Sequence, residues 1–181
     1  MRRRIAVLGI SGVGKSTLIT KIRETMPLIH LQASGLIKAE QAHRAQNPDS
    51  SETLRNGAVI DNQALMIAAF KREAAESELP IIFDGHSVID GRGGLIEIPS
   101  SVFGELELDA ICFLAADPDT IAERRRADIE RERPIHNAAI LQDHQKMAES
   151  AARRIASEIK CSFISITESE ISLLQELLII R

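Results

Sequence analysis

The chain has 181 residues, near the common size of one domain, and its 44% hydrophobic content is enough for one sizeable core. A formal net charge of −4 argues against generic binding to nucleic acid or to an anionic membrane surface, so any polyanion must be gripped locally. No apolar stretch approaches the roughly 20 residues of a membrane span, and Arg2-Arg3-Arg4 followed by Ile5 to Ile10 is too short a run for a signal peptide.

The first element is an apolar run, Ile5-Ala6-Val7-Leu8, which predicts a buried strand. It feeds directly into Gly9-Ile10-Ser11-Gly12-Val13-Gly14-Lys15-Ser16-Thr17, a match to G-x-x-x-x-G-K-[ST], and Leu18, Ile19 and Ile22 then follow at helical spacing. Glycines let successive backbone N–H groups converge on phosphate oxygens, and the following helix N-terminus adds partial positive charge. Gly9, Ser11, Gly12, Val13, Gly14, Lys15, Ser16 and Thr17 are therefore the predicted cradle for ATP, with Lys15 on phosphate and Ser16 on Mg2+.

Leu28 to Leu31 predicts a second strand, and Ser34-Gly35 follows it. In a small-molecule kinase the segment after the second strand, here about residues 34–78, binds the phosphoryl acceptor. Arg55 in that segment suits a monophosphate because its fork engages two oxygens, although a solvent-facing role stays open from the residue alone. Pro80 to Phe83 predicts a third strand that ends on Asp84, placed to face the Mg2+ held by Ser16; the alternative is an Asp that caps a turn. His86 either contacts substrate or hydrogen-bonds the loop.

Ala110 to Ala115 predicts a fourth strand, and Asp117-Pro118-Asp119 reads as a helix start with Asp as N-cap. Arg124, Arg125, Arg126, Arg131 and Arg133 then place five guanidinium groups within ten residues, interleaved with Glu123, Asp128, Glu130 and Glu132. Surface ion pairing explains part of this pattern, and two or three of the arginines are expected to touch phosphate. Residues 126–137 are the expected short lid. Ile140, His144, Met147, Ala151, Ile155 and Ile159 predict one buried stripe on a long helix. Ser162 to Ile166 predicts the last strand, and Cys112 and Cys161, in apolar runs without metal spacing, read as reduced core thiols of a cytoplasmic protein. Strands alternating with crossover-length helical segments imply an α/β fold: a single three-layer P-loop NTPase sandwich on a five-stranded parallel sheet. By the rule for such sheets, ligands bind beyond the strand C-termini, where these motifs fall.

Several of these motifs, in this order, resemble the archaeal-type adenylate kinases, a branch of the P-loop nucleoside monophosphate kinases. The glycine loop matches, Leu54-Arg55 resembles the family's Met-Arg-Lys, and Asp84-Gly85-His86-Ser87 resembles its Asp-Thr-His-Ser. The stretch through Gly91, Gly94 and Pro99 resembles its glycine-rich segment, Arg124-Arg125-x-x-Asp128-x-x-Arg131-x-Arg133 keeps the spacing around its lid, and Asp143-His144-Gln145 resembles its Glu-His-Gln. Two places depart: Pro134 stands where the family has Asp, and Ala33-Ser34-Gly35-Leu36 keeps only the glycine of its aromatic-Gly-Thr turn.

The resemblance implies transfer of the ATP γ-phosphate to a nucleoside monophosphate, AMP first among them, with Mg2+. Lys15, Arg124, Arg131 and Arg133 would serve the transferring group, Ser16 and Asp84 the metal, and Ser34, Gly35, Arg55 and His86 the acceptor. His144, on the stripe between Ile140 and Met147, reads as structural. With five Phe and no Trp or Tyr, aliphatic side chains or an arginine plane would have to meet the base. No membrane or nucleic-acid partner is expected, and a homo-oligomer is compatible with the sequence. Two other functions stay open: a kinase for a small metabolite or nucleoside, in which His86 or Asp90 takes a hydroxyl proton, and an ATPase of adenylate kinase type that serves as an assembly or regulatory factor.

Overall fold

The computed structural model describes residues 2–44, 46–50, 53–54, 59–91, 93–128 and 136–179. Strand β1 (Arg4–Leu8) is followed by α1 (Lys15–Arg23), β2 (Ile29–Gln32), α2 (Ala33–His43) and α3 (Val59–Ala75). Then come β3 (Ile81–Gly85), a short hairpin of β4 (Val88–Gly91) and β5 (Gly94–Glu97), α4 (Ser100–Gly104) and β6 (Ala110–Leu114). The chain continues through α5 (Pro118–Ala127), α6 (Ala138–Glu158), β7 (Ser162–Ile166) and α7 (Ile171–Ile179).

The main sheet has the order β2-β3-β1-β6-β7, and every neighbouring pair is parallel. Parallel sheets are covered on both faces, which is why Ile5, Ala6, Val7 and Leu8 form an unbroken apolar run and are each 0% exposed. Successive connections leave β1 in opposite directions, first to β2 and β3 and then across to β6 and β7. That reversal opens a crevice at the C-terminal ends of the central strands. The register places Val7 beside Asp84 and Leu8 beside Gly85, so the end of β1 and the end of β3 face the same crevice.

Phe83 of β3 packs edge-on against Phe70 of α3 and Phe103 of α4, with ring centroids 5.9 and 6.4 Å apart. These rings bolt α3 and α4 to the sheet at the edge-to-face geometry aromatic pairs prefer. Glu40, buried on α2, takes hydrogen bonds from Arg44 one turn on and from Arg72 of α3 at 2.7 and 2.6 Å, joining the two helices that frame the crevice. Those two guanidinium groups hold its carboxyl below the usual range.

All five predicted strands form, with ends shifted by a residue or two. The β4–β5 hairpin was not anticipated, because its residues read as a glycine-rich stretch rather than as alternating strands. The stripe on α6 needs correction. Ile140 and Met147 are 40% and 54% exposed, whereas Leu141, Ala148, Ala151, Ala152, Ile155 and Ala156 are buried. Ala151 and Ile155 of the predicted stripe are buried as expected, but in the first half of the helix the covered positions are Leu141 and Ala148, one residue on from Ile140 and Met147, and the small alanines let α6 sit close to β6, β7 and the hairpin. Cys112 is fully buried, as expected; Cys161 is only half-buried and lies before β7 rather than in it.

Asp117 caps α5, accepting from the backbone N–H groups of Asp119 and Thr120, with Pro118 in the first turn. Replacing it with alanine should cost about 1 kcal/mol, a fall in Tm of about 2–4 °C in a domain of this size, measured by thermal denaturation.

Candidate active site

The loop after β1 takes its shape from backbone geometry that only glycine adopts cheaply. Gly12 and Gly14 have φ of +88° and +107°, and Gly14 is also the N-cap of α1, so the first N–H groups of that helix open onto the loop. There is no room for a side chain either: a Cβ on Gly12 would meet Arg125 Cγ at 2.9 Å, and one on Gly14 would meet Arg124 Nη1 at 2.8 Å.

These arginines hold the loop from outside. Arg124 Nη1 donates to Val13 O at 2.8 Å, and Arg125 Nε donates to Ser11 O at 2.8 Å. Arg124 is exposed and its other arm reaches Glu168 at 3.2 Å, which also receives Lys21 at 2.6 Å. Arg125 is buried on the face of α5 that carries Ile121 and Ala122. Sequence reasoning singled out Arg124 and passed over Arg125, although its position four residues after Ile121 put it on the inward face. Arg126 is exposed. Arg131 and Arg133, with Pro134 and most of the expected lid, lie outside the described residues, as does Arg55.

Lys15 is 7% exposed and donates to Gly9 O at 3.1 Å. Its Nζ stands 3.8 Å from Asp84 Oδ1, while Ser16 Oγ donates to Asp84 Oδ2 at 3.4 Å. His30, which the sequence reasoning missed, brings Nε2 within 3.3 Å of the same oxygen from β2. Burial works to raise the Asp84 carboxyl, but the His30 hydrogen bond and the charges of Lys15 and His86 outweigh it and hold the group below its ordinary value. A carboxylate beside a hydroxyl, both facing the loop, is an oxygen donor set that fits a hard cation such as Mg2+.

His86 Nδ1 donates to Gly9 O at 2.7 Å. It also lines a cavity of about 380 Å³ that begins at the loop and runs beneath α2, α3 and the hairpin. Ser34 and Gly35 line its other side, in the first turn of α2 rather than in a loop. A Cβ on Gly35 would meet only Gln32, at 3.9 Å, so close packing does not require a glycine there. Phe83, Phe103 and Met66 supply apolar floor, and Leu54 is buried there beside the undescribed Arg55. His144 lines the same cavity, half-buried. Gln145 beside it clamps the end of β6, accepting from Ala116 N and donating to Ala116 O, each at 3.0 Å.

The Asp84 carboxyl lies below its ordinary pKa of 3.8, so its contribution to stability is fully present above that value and is lost as pH falls through the lower folded value. Asp84→Asn removes the carboxylate that stands 3.8 Å from the buried Lys15 ammonium and should cost on the order of 3 kcal/mol at neutral pH. The gap to the unaltered chain should narrow below pH 3.8, read from urea midpoints across the acid range.

A family profile described as AAA domain matches residues 8–142, which contain the loop, Asp84, all but one of the cavity-lining residues and the three arginines of α5. The adenylate kinase of Methanopyrus kandleri is 31% identical over 158 residues, covering 84% of this chain and 82% of that protein. The adenylate kinase of Methanoculleus marisnigri is 25% identical over 182 residues, covering 96% and 93%. Among solved structures, shikimate kinase from Acinetobacter baumannii aligns with a TM-score of 0.63 at 12% identity, covering 98% of this chain and 93% of that one, a likeness of fold.

Proposed function

We propose that this chain, which belongs to the AAA-domain family and to the family of the archaeal adenylate kinases, transfers the γ-phosphate of ATP to a nucleoside monophosphate, with AMP the first candidate. The observation that carries this reading is the meeting of Lys15, Ser16 and Asp84 at a glycine loop whose Ile10 and Ser11 line a cavity that the first turn of α2 also lines. Two phosphate-sized anchors, the glycine loop and a helix N-terminus, thus face one another across a space suited to a small organic acceptor.

Each residue has a physical role in this reading. Lys15 lies folded onto Gly9 O and Asp84, and a bound triphosphate offers it β- and γ-oxygens in their place. Ser16 and Asp84 would hold Mg2+, which supplies charge neutralisation of the phosphates when bound. His30 keeps the carboxylate ionised and oriented. Gly9, Ser11, Gly12, Val13, Gly14 and Thr17 offer backbone and hydroxyl contacts to the phosphates. Arg124 stands at the loop for the transferring group, and Arg131 and Arg133 would join it when residues 126–137 close. Ser34 and Gly35 present backbone N–H groups to the acceptor phosphate, Arg55 grips it with paired donors, and His86 links the loop to the acceptor side. Residues 34–78 then form the acceptor segment of a single kinase domain. The acceptor needs no protein base, because a phosphate oxygen is already ionised near neutral pH.

Among the described residues no helix is long and apolar enough to cross a membrane, and Cys112 and Cys161 are unpaired. Burial pushes the Cys112 thiol up to about 12, so it is inert as a nucleophile. These features support the cytoplasm as its compartment.

The decisive experiment is a coupled assay of ADP formation with Mg2+ and ATP, run with a panel of nucleoside monophosphates and without acceptor. ADP formation should depend on one monophosphate, and Lys15→Ala should lower kcat by at least about a hundredfold. Turnover of equal rate without any acceptor would overturn the kinase reading in favour of an ATPase; a hydroxyl compound replacing the monophosphate would move the enzyme to the metabolite kinases.

Arg55 separates the two phosphate sites. Arg55→Ala should raise the KM for the monophosphate by roughly 10- to 100-fold and leave ATP almost untouched. Arg131→Ala and Arg133→Ala should act mainly on kcat, because contacts made only in the closed state act on the transition state. Steady-state kinetics with each substrate varied in turn makes the distinction.

A further inference from the structure

Beside the phosphate site lies a second constellation that the phosphoryl-transfer reading does not use. Asp90 lies in β4, His136 precedes α6, and His144 stands in the second turn of α6. The ligating atoms of all three lie within 4.8 Å of one another. His136 Nε2 is 2.9 Å from Asp90 Oδ2, and His144 Nδ1 is 3.9 Å from the same oxygen. The two imidazole rings stand edge to face with centroids 4.9 Å apart. Donors about 2.0–2.1 Å from a tetrahedral zinc ion are about 3.3 Å from each other. The two observed separations from Asp90 straddle that value, so adjustments of about half an ångström bring them to ligating distance.

A hydrogen-bonded cluster would look different at one atom. His144 Nδ1 is buried and has no hydrogen-bond partner, and a buried polar nitrogen left unpaired is costly. Burial also pushes the His144 imidazole below its ordinary value, against the opposing pull of Asp90, so it is neutral at pH 7 with a lone pair to give. Arg125 approaches Asp90 Oδ2 at 3.7 Å, so a cation here meets one positive neighbour as well as one negative one. The second carboxylate oxygen of Asp90 allows it to serve both.

We propose that Asp90, His136 and His144 form a site for a divalent transition-metal ion, with zinc the best fit to two imidazoles and a carboxylate, distinct from the Mg2+ at Ser16 and Asp84. On binding, the proton of His136 moves to Nδ1 and Nε2 exchanges its contact with Asp90 for the metal. The fourth position takes water, since Asp90 and His144 both line the cavity. Such an ion ties the β4–β5 hairpin to the start of α6 and, through His136, to the C-terminal end of the segment expected to close as a lid. The site does not depend on the kinase reading, and its test reads metal rather than turnover.

The full chain, stripped of metal with a chelator that is then removed, is titrated with Zn2+ against a chromophoric competitor and, separately, with Co2+. One equivalent of Zn2+ should bind, the Tm should rise with it, and Co2+ should give the intense visible absorption of a four-coordinate site. His136→Gln, His144→Gln and Asp90→Asn should each weaken binding by at least about tenfold and abolish the Co2+ band. His43→Ala, at an exposed histidine far from the cluster in α2, should change neither, and circular dichroism checks that each variant folds. Asp84→Asn should retain the Co2+ band. Full Zn2+ affinity in the His136→Gln and His144→Gln variants, loss of binding in Asp84→Asn alone, or no binding by the unaltered chain would each overturn the proposal.

Discussion

The structure turns on one buried carboxylate. Asp84 is 4% exposed at the end of β3, and a lone charge in that position would be untenable. Lys15 and Ser16 from the first turn of α1 and His30 from β2 all converge on it. The start of α1, β2 and the end of β3 are thereby brought to a common point. The arrangement also stores the chemistry: the lysine and hydroxyl that satisfy Asp84 are groups that phosphate and a hard cation would engage.

A second set of cations fixes the glycine loop itself. Arg124 and Arg125 cap two of its carbonyls, at Val13 and Ser11. The contact is tight enough that any side chain at Gly12 or Gly14 would displace a guanidinium group. The start of α5 is secured by Asp117, and its outer arginine is shared with Glu168 near α7. Loop, α5 and the start of α7 act as one electrostatic unit.

The cavity follows from what the sheet leaves uncovered. Strand β3 presents Phe83 to α3 and α4 as an edge-to-face stack, and the β4–β5 hairpin rises beside it to close one wall. An ion pair from Glu97 to Arg154 fastens the hairpin to α6. Charged groups gather on the walls, where Arg125, Asp90 and His144 meet, while the floor stays apolar. That division suits a ligand with a charged end and a flat or aliphatic body.

Much of this was written in the sequence because the physics there is local. Burial on both faces forces a parallel strand to be uniformly apolar, and phosphate binding at a helix N-terminus forces glycines and a lysine at set intervals; the five strands, the loop, Asp84 and the Asp117 cap were legible for those reasons. The alanine face of α6 was not. Small residues there acquire meaning only from the close approach of β6 and β7; the stripe was right at Ala151 and Ile155 but wrong at the larger Ile140 and Met147, which are exposed. Likewise His30, Arg125 and the meeting of Asp90 with His136 and His144 join residues 46 to 114 positions apart. Only the folded chain could bring such pairs together, because side-chain charge and hydrogen bonding act over a few ångströms of space and carry no trace along the chain.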